Sequence, residues 1–214
     1  VGEKTIPSAA RAVKAAAAAL LTAKHGVISV NGNTAILTPR EIIALSRVTG
    51  ALVEVNLFYR TDEREVAIQR VLEEAGADRI LGIGKAASAR IPELQSERRR
   101  VDPEGILKAD VVLVPLEDGD RTEALVKMGK KVITIDLNPL SRTAQLSSIS
   151  IIDNVVRAMP LLIKEAENMK KQDGKEAQRI LEGYDNKEIL SRGIAHIAER
   201  MTTISREGVY IKLD

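Results

Sequence analysis

The sequence predicts an α/β protein with a Rossmann-like, doubly wound and mostly parallel sheet that has helices on both faces. Short apolar stretches rich in Val and Ile alternate with stretches of helical composition, a pattern typical of βαβ units. The apolar stretches are continuous, as expected for strands that are covered on both faces. Residues that favour turns follow nearly all of them, so the boundaries of the elements can be predicted.

The first half of the chain contains three predicted strands, each near a predicted helix. Alanine-rich composition predicts the first helix, and Pro39 with Glu41 marks the start of the second. In chain order, the predictions are a helix over Ser8–Ala23, a strand over Val27–Val30, a helix from Thr38 to Gly50, a strand over Leu52–Val55, a helix from Thr61 or Asp62 to Ala75, and a strand over Arg79–Ile83.

The second half contains three more predicted strands and ends in helices. The strands cover Val111–Val114, Val132–Ile135 and Ile149–Ile152, with a short helix at Thr122–Met128 and a longer one from Asn154. Beyond Ile163 no comparable apolar stretch occurs. We therefore expect a Rossmann-like domain over residues 1–163 and a C-terminal helical extension over 164–214 that packs on it.

Composition excludes several classes of protein. The 214 residues include no cysteine, which removes disulfides, thiol nucleophiles and thiolate zinc sites. A net charge of +2 and only 2% aromatic residues argue against nucleic-acid binding. No apolar run approaches the ~20 residues that span a bilayer. We therefore expect a cytoplasmic protein without a nucleic-acid or membrane partner. Because the first residue is Val, we also expect that further residues precede it.

The loops after the predicted strands are the candidate site. In open α/β sheets, ligands bind outside the carboxyl ends of the strands. The segments at those ends are dense in amides, carboxylates, hydroxyls and arginines: Asn31–Asn33, Asn56–Arg60, Leu116–Thr122, Asp136–Thr143 and Asp153–Asn154. This density predicts that the active site lies at that edge, above all at the third and fourth of these segments.

Two of these loops have competing interpretations. Asn31-Gly32-Asn33 is typical of an Asn-Gly turn, but it could also bring the backbone close to a ligand. In the acidic loop, Glu117, Asp118 and Asp120 repel one another unless a cation lies among them. That cation could be Mg²⁺ held through water, a substrate ammonium, or Arg121. The alternative is a solvated turn in which Asp120 or Thr122 caps the next helix.

The loop Asp136–Thr143 has the residue types of a nucleotide site. An acidic residue at a strand end is a usual partner of ribose hydroxyls. Ser141, Arg142 and Thr143 carry donors suited to phosphate oxygens. Asn154 is either a helix N-cap or part of an anion site, and the two interpretations are compatible.

Several familiar signatures are absent from the sequence. It contains no P-loop, and no Gly-x-Gly-x-x-Gly follows the first strand, which disfavours an ordinary nicotinamide site. His25 and His196 are isolated, so a histidine-built metal site is not expected.

Taken together, five motifs identify a resemblance to a known family. The chain resembles the archaeal phosphopantothenate synthetases, also called 4-phosphopantoate–β-alanine ligases. The motifs that carry the resemblance are VISVNGN at Val27–Asn33, NLFYRT at Asn56–Thr61, VVLVPLEDGDRTEAL at Val111–Leu125, IDLNPLSR at Ile135–Arg142 and IDNVVR at Ile152–Arg157.

The resemblance implies a homodimeric enzyme of coenzyme A biosynthesis that uses ATP and Mg²⁺. It would join 4-phosphopantoate to β-alanine and give 4′-phosphopantothenate, AMP and diphosphate. The family also has arginines in a segment before residue 1 that help to bind ATP. The family's nucleotide contacts fall here on Asp136, Leu137, Asn138, Arg142, Thr143, Asn154 and Val155.

The chemistry of such a reaction suggests roles for the remaining polar residues. We expect Asp118, Asp120 and Arg121 to take part in catalysis. We expect the substrates to contact Asn31, Asn33, Asn56, Arg60 and Glu117. Which carboxylate holds the β-alanine ammonium or Mg²⁺ stays open. The alternatives are a non-catalytic nucleotide- or phosphosugar-binding module and a nicotinamide-dependent reductase.

Overall fold

A computed structural model describes residues 2–116, 119–172 and 174–208. The strands, in chain order, are β1 (Gly26–Val30), β2 (Leu52–Val55), β3 (Ala89–Arg90), β4 (Arg100–Val101), β5 (Val111–Pro115), β6 (Lys131–Asp136) and β7 (Ile149–Ile152). The helices are α1 (Pro7–Thr22), α2 (Gly32–Leu37), α3 (Pro39–Thr49), α4 (Asp62–Glu74), α5 (Gly119–Lys127), α6 (Arg142–Leu146), α7 (Val155–Lys170), α8 (Gly174–Glu182) and α9 (Asn186–Glu207).

Five strands form one central sheet in the order β2-β1-β5-β6-β7, and every neighbouring pair is parallel. The short strands β3 and β4 form a separate antiparallel ribbon. The predicted Rossmann-like fold is confirmed, as are the strands predicted at β1, β2, β5, β6 and β7.

The two faces of the sheet bury different apolar side chains, because successive residues of a strand point to opposite faces. Ile28, Leu113 and Ile133 belong to a core that includes the buried alanines of α1 and residues of α3 and α7. Val112 and Val132 belong to a second core on the other face. There, α5 and residues 84–110, which we call the excursion, cover the sheet.

The predicted strand at Arg79–Ile83 does not form, and this prediction was wrong. A single parallel bridge joins Leu81 to Glu54. Leu81 donates to the Val53 carbonyl at 2.8 Å and accepts from the Val55 amide at 2.9 Å. Pairing stops there because Gly82 has a φ of +75° and turns the chain away from β2. A side chain at this position would contact the Val55 carbonyl, so only glycine fits.

Asn31-Gly32-Asn33 caps and begins α2 and does not form the Asn-Gly turn that the sequence favoured. The Asn31 side chain accepts from the Thr34 amide, and the Thr34 hydroxyl lies 3.0 Å from the Asn31 amide. This reciprocal arrangement is a capping box, which satisfies helix donors that would otherwise lack partners.

The C-terminal helices pack against α1 and the outer strand β7. Asn186 accepts from the Ser150 amide of β7 at 2.8 Å and donates to the Ser147 carbonyl at 3.0 Å. The expected domain boundary at residue 163 falls inside the continuous helix α7. Within the described ranges, no helix combines the length and apolar composition needed to span a membrane.

Candidate active site

After β1 the chain continues to β2 on one side, and after β5 it continues to β6 on the other. This strand order places a topological switch point between β1 and β5. Ligands of doubly wound proteins bind in the crevice at such a point, outside the carboxyl ends of the strands. In this chain, the residues there are Asn31 after β1 and Leu116 after β5.

Asn31 joins the two strand ends at the switch point. Its amide group donates to the Pro115 and Leu116 carbonyls, both at 3.1 Å, while its oxygen accepts from the Thr34 amide at 3.0 Å. Leu116 has a φ of +53°, a left-handed conformation that is unfavourable for leucine. The Asn31 side chain is thus fully engaged in holding the start of the acidic loop, and its predicted contact with substrate stays a prediction.

Replacing Asn31 with aspartate is expected to destabilise the protein by about 1–3 kcal/mol. A carboxylate still caps α2, but it has no hydrogen to donate and faces two carbonyl oxygens. Urea unfolding at pH 7.5 measures the loss. Asn33→Asp is the matched control, because Asn33 is exposed in the first turn of the same helix. Equal losses in both variants would contradict the role given to Asn31.

Arg121 and Glu54 lie beneath this edge of the sheet, and both are fully buried. The Arg121 guanidinium donates to the Ser29 hydroxyl at 2.8 Å. Glu54 accepts from the Ile106 amide at 2.5 Å and from the Asp102 amide at 2.9 Å. Burial raises the pKa of Glu54 to about 7, although these two hydrogen bonds and the charge of Arg121 act to lower it.

Glu54 was missed by the sequence reasoning, although one signal was present. It is the one charged residue in the predicted strand Leu52–Val55. A carboxylate in a buried strand needs partners, and here they are the backbone amides of the excursion.

Two residues predicted to bind substrate also attach the excursion and its flanks to the sheet. Asn56 donates to the Arg98 and Arg100 carbonyls at 3.1 and 3.0 Å. Arg60 forms an ion pair with Glu65 at 2.5 Å, with their side chains 3% and 4% exposed. Burial lowers the pKa of Arg60, and the charge of Glu65 opposes that change. Substrate binding by either residue stays a prediction.

The loop after β6 is organised around Asp136. Its carboxylate accepts from the Asn138 amide at 2.9 Å and from the Ser141 hydroxyl at 2.5 Å. Ser141 in turn caps α6 by accepting from the Ala144 amide at 3.0 Å. The predicted nucleotide residues Leu137, Asn138 and Arg142 are exposed, while Thr143 is buried.

An ion pair joins this loop to the acidic loop. The exposed Arg142 guanidinium donates to the Asp120 carboxylate. Gly119 lies directly beneath the Arg142 side chain, where any larger residue would collide with it. The other two predicted carboxylates, Glu117 and Asp118, lie outside the described residues.

The end of β7 adds the remaining predicted nucleotide residues. Asn154 caps α7 by accepting from the Val156 amide at 2.9 Å, and the side chain of Val155 is buried in the core. The adjacent Asp153 is fully buried and accepts from Thr5 and Arg157. Arg157 also donates to the Gly2 carbonyl at 2.9 Å, so the first described residues lie at this edge of the sheet.

A cleft of about 800 Å³ opens beside the acidic loop. We call it the aromatic cleft, because Phe58 and Tyr59 line it with 44% and 71% of their surfaces exposed. Their rings meet edge to face, with centroids 4.8 Å apart. Residues 93–97 and α5 form the other walls, and Asp120 lies at the boundary with Arg142.

The exposed residues at the edge are of types that can contact a nucleotide. Leu137, Leu140 and Val156 are exposed apolar side chains on which a base can pack, and Arg142 is an exposed cation of the kind that binds phosphates. In the part of the chain that the structure describes, no group of three or more His, Asp or Glu side chains could hold a metal ion.

Comparisons with known proteins agree with the resemblance. Residues 8–200 match the family model described as phosphopantothenate/pantothenate synthetase. The chain is similar to the 4-phosphopantoate–β-alanine ligase of Thermococcus kodakarensis, with 51% identity over 211 residues, covering 98% of this chain and 80% of the relative. It is similar to the enzyme of the same name from Methanosarcina mazei, with 50% identity over 210 residues, covering 98% and 82%.

Proposed function

The chain belongs to the phosphopantothenate/pantothenate synthetase family, and on this basis we propose that it joins 4-phosphopantoate to β-alanine at the expense of ATP. The observation that carries the proposal is the contact, at one edge of the sheet, of the two loops that were predicted to bind ligands. The Arg142–Asp120 ion pair connects the nucleotide-type loop after β6 with the acidic loop after β5. One edge can therefore hold ATP and a second substrate side by side.

Amide formation requires that the carboxylate of phosphopantoate receive a good leaving group. We propose that it attacks the α-phosphorus of ATP, which releases diphosphate and forms an acyl-adenylate. The amine of β-alanine then attacks the carbonyl carbon, forms the amide bond and releases AMP, while the amine loses its protons to solvent or a nearby carboxylate. No covalent bond to the protein is needed. Alignment of two bound reactants can contribute ~7–11 kcal/mol to such steps.

Both steps bring anions together, so fixed positive charge at the edge lowers the barrier. Arg142 is exposed beside the loop of Asp136 and would bind the ATP phosphates. Asp136 would accept from the ribose hydroxyls in place of its present donors, Asn138 and Ser141. In this proposal Asn154 and the backbone of Val155 also contact the nucleotide. Arg60 or Arg121 would serve the phosphate of phosphopantoate after a local rearrangement of their buried contacts.

The proposal includes Mg²⁺, which would shield the charge of the ATP phosphates when bound. Asp120, with Glu117 and Asp118, which lie outside the described residues, would be its ligands or would hold the amine of β-alanine. We also infer from the family that the active form is a homodimer in the archaeal cytoplasm.

Replacing Arg142 with alanine is expected to raise the KM for ATP about tenfold or more. Charge-assisted hydrogen bonds contribute about 1.5–3 kcal/mol, and each 1.4 kcal/mol is a factor of ten. Steady-state AMP formation at varied ATP measures the effect. Arg192→Ala is the matched control, since Arg192 is also an exposed arginine in an ion pair with a carboxylate. An unchanged KM and kcat for Arg142→Ala would remove Arg142 from the nucleotide site.

The function itself is tested by incubating the protein with ATP, Mg²⁺, 4-phosphopantoate and β-alanine. The ligase should form AMP and phosphopantothenate in equal amounts, and only when both substrates are present. AMP formation that does not depend on phosphopantoate would contradict the proposal. A non-catalytic nucleotide- or phosphosugar-binding module would bind ATP without forming AMP, and a reductase would bind NADPH in a fluorescence titration.

A further inference from the structure

We propose that the aromatic cleft is the site of the amino-acid substrate, and that it recognises a small zwitterion through a carboxylate and a lysine that line it. This inference rests on the proposed ligase function and assigns the second substrate to a particular place. The cleft of about 800 Å³ falls within the range of small-molecule sites. It leaves room for the acyl end of the other substrate beside a small amino acid.

The charges that line the cleft favour a cationic group over an anionic one. Of the residues that the structure describes, four carboxylates and one lysine line it, and three of the carboxylates already have cationic partners. These three pairs are Glu97 with Arg100, Asp120 with Arg142, and Glu123 with Lys127. Among the described residues, Glu93 forms no ion pair, although its charge acts on Lys127, so its carboxylate can accept hydrogen bonds from a cationic ligand.

The aromatic pair adds a second attraction for an ammonium group. The guanidinium of Arg98 lies 5.8 Å from the centroid of the Phe58 ring, so this ring already attracts one cation. The Tyr59 ring is 71% exposed in the same cleft and is available to a ligand. A cation over a tyrosine face gains about 0.5–2 kcal/mol, whereas a phosphate or carboxylate gains nothing there.

Lys127, which pairs with Glu123, would also bind the carboxylate of the amino acid. It lies on α5, where its hydrogen bond to Glu123, together with the charges of Glu123 and Glu93, raises its pKa. Glu93 lines the same cleft. A zwitterion with separated charges, such as β-alanine, can bind both groups, whereas a dianionic phosphate cannot.

The cleft also opens at the correct side of the nucleotide loop. Asp120 lines the cleft and pairs with Arg142, which belongs to the loop proposed for ATP. An amine bound in the cleft would therefore adjoin an activated carboxyl group held at Arg142. Such proximity is what the second step of an adenylating ligase requires.

The test separates the two half-reactions. Exchange of labelled diphosphate into ATP, with phosphopantoate but without β-alanine, reports adenylation alone. Steady-state amide formation at varied β-alanine reports the second step. We expect Glu93→Gln, Tyr59→Leu and Lys127→Met each to raise the KM for β-alanine about tenfold while the exchange persists. A tenfold change corresponds to 1.4 kcal/mol.

Lys108→Met is the matched control for Lys127→Met. Lys108 pairs with Glu104 four residues earlier, as Lys127 pairs with Glu123, but it does not line the cleft. This control should keep the wild-type KM for β-alanine. Hydroxylamine, which has no carboxylate, should still trap the acyl-adenylate in all three cleft variants.

Two results would overturn the inference while leaving the proposed function in place. If the wild-type protein is active and its cleft variants keep the wild-type KM for β-alanine, the inference fails and the proposed function stands. A parallel loss of diphosphate exchange in those variants would do the same, because it would place the cleft in the first half-reaction. If the wild-type protein shows neither exchange nor amide formation, the proposed function itself fails, and the inference fails with it.

Discussion

Replacing Arg121 with methionine is expected to lower the free energy of unfolding by about 3–5 kcal/mol. Methionine fills most of the space of the arginine stem, so the loss would come from charge and hydrogen bonding. The guanidinium is fully buried and donates to Ser29. It is also the cation that lowers the pKa of the buried Glu54 carboxyl. Without it, Glu54 ionises at greater cost, and the Ser29 hydroxyl loses its donor.

Urea unfolding at pH 7.5 measures this loss directly. Arg70→Met is the control, because Arg70 forms an exposed pair with Glu74 on α4 and should change stability by no more than about 0.5 kcal/mol. A double-mutant cycle with Glu54→Gln isolates the coupling of the two buried groups. A loss below about 1 kcal/mol for Arg121→Met would show that the protein does not depend on this arginine for its stability.

The second large effect concerns pH. The pKa of Glu54 is raised from 4.5 to about 7 by burial. Below pH 4.5 the group is protonated in the folded and unfolded protein alike, so its ionisation does not lower the free energy of unfolding. Between pH 4.5 and 7 the unfolded chain ionises while the folded protein keeps the proton, and this difference favours unfolding. The free energy of unfolding therefore falls by about 3 kcal/mol in total as the pH rises from 4.5 to about 7.

Glu54→Gln removes this titration while keeping the size of the side chain. Glutamine cannot accept from both the Asp102 and the Ile106 amides, so the variant should be less stable than the wild type at pH 4.5. That deficit should shrink by about 3 kcal/mol between pH 4.5 and 7, because only the wild type loses stability from this group. Urea unfolding of both proteins across this range gives the difference. A deficit that does not change with pH would mean that Glu54 is ionised throughout.

The sheet was predictable from sequence because its strands carry their own signal. Continuous runs such as Val111–Val114 bury both faces and need no knowledge of their neighbours to be recognised. The strand expected at Arg79–Ile83 failed because its pairing depends on tertiary context. Only Leu81 reaches β2 before Gly82 turns the chain. Local apolar composition does not reveal such a turn.

The position of the polar loops was predictable, but the orientation of their side chains was less so. The carboxyl edge follows from the βαβ pattern, and the polar loops lie there. Sequence alone placed Arg121 in a loop before a helix that was expected to begin at Thr122. The helix α5 begins at Gly119, so Arg121 lies in its first turn and faces the sheet. A shift of three residues in a helix boundary thus changes a predicted loop residue into a buried residue of a helix.

The same uncertainty applies to Asn31. Its residue type is equally suited to a ligand contact and to bonding backbone carbonyls. The choice depends on β5, whose end lies 84 residues later in the chain at Pro115. The sequence around Asn31 does not reveal that the end of β5 will lie beside its side chain.

The two outer strands of the sheet also bear on how the protein behaves at high concentration. An exposed outer strand offers amides and carbonyls to a strand of another molecule, which promotes aggregation. On β2, Leu81 occupies the outward groups of Val53 and Val55, and the strand carries the buried charge of Glu54. On β7, Asn186 occupies the outward amide of Ser150. Side chains and a single bridging residue thus oppose intermolecular β-pairing at both sides of the sheet, which helps to keep the folded protein dispersed.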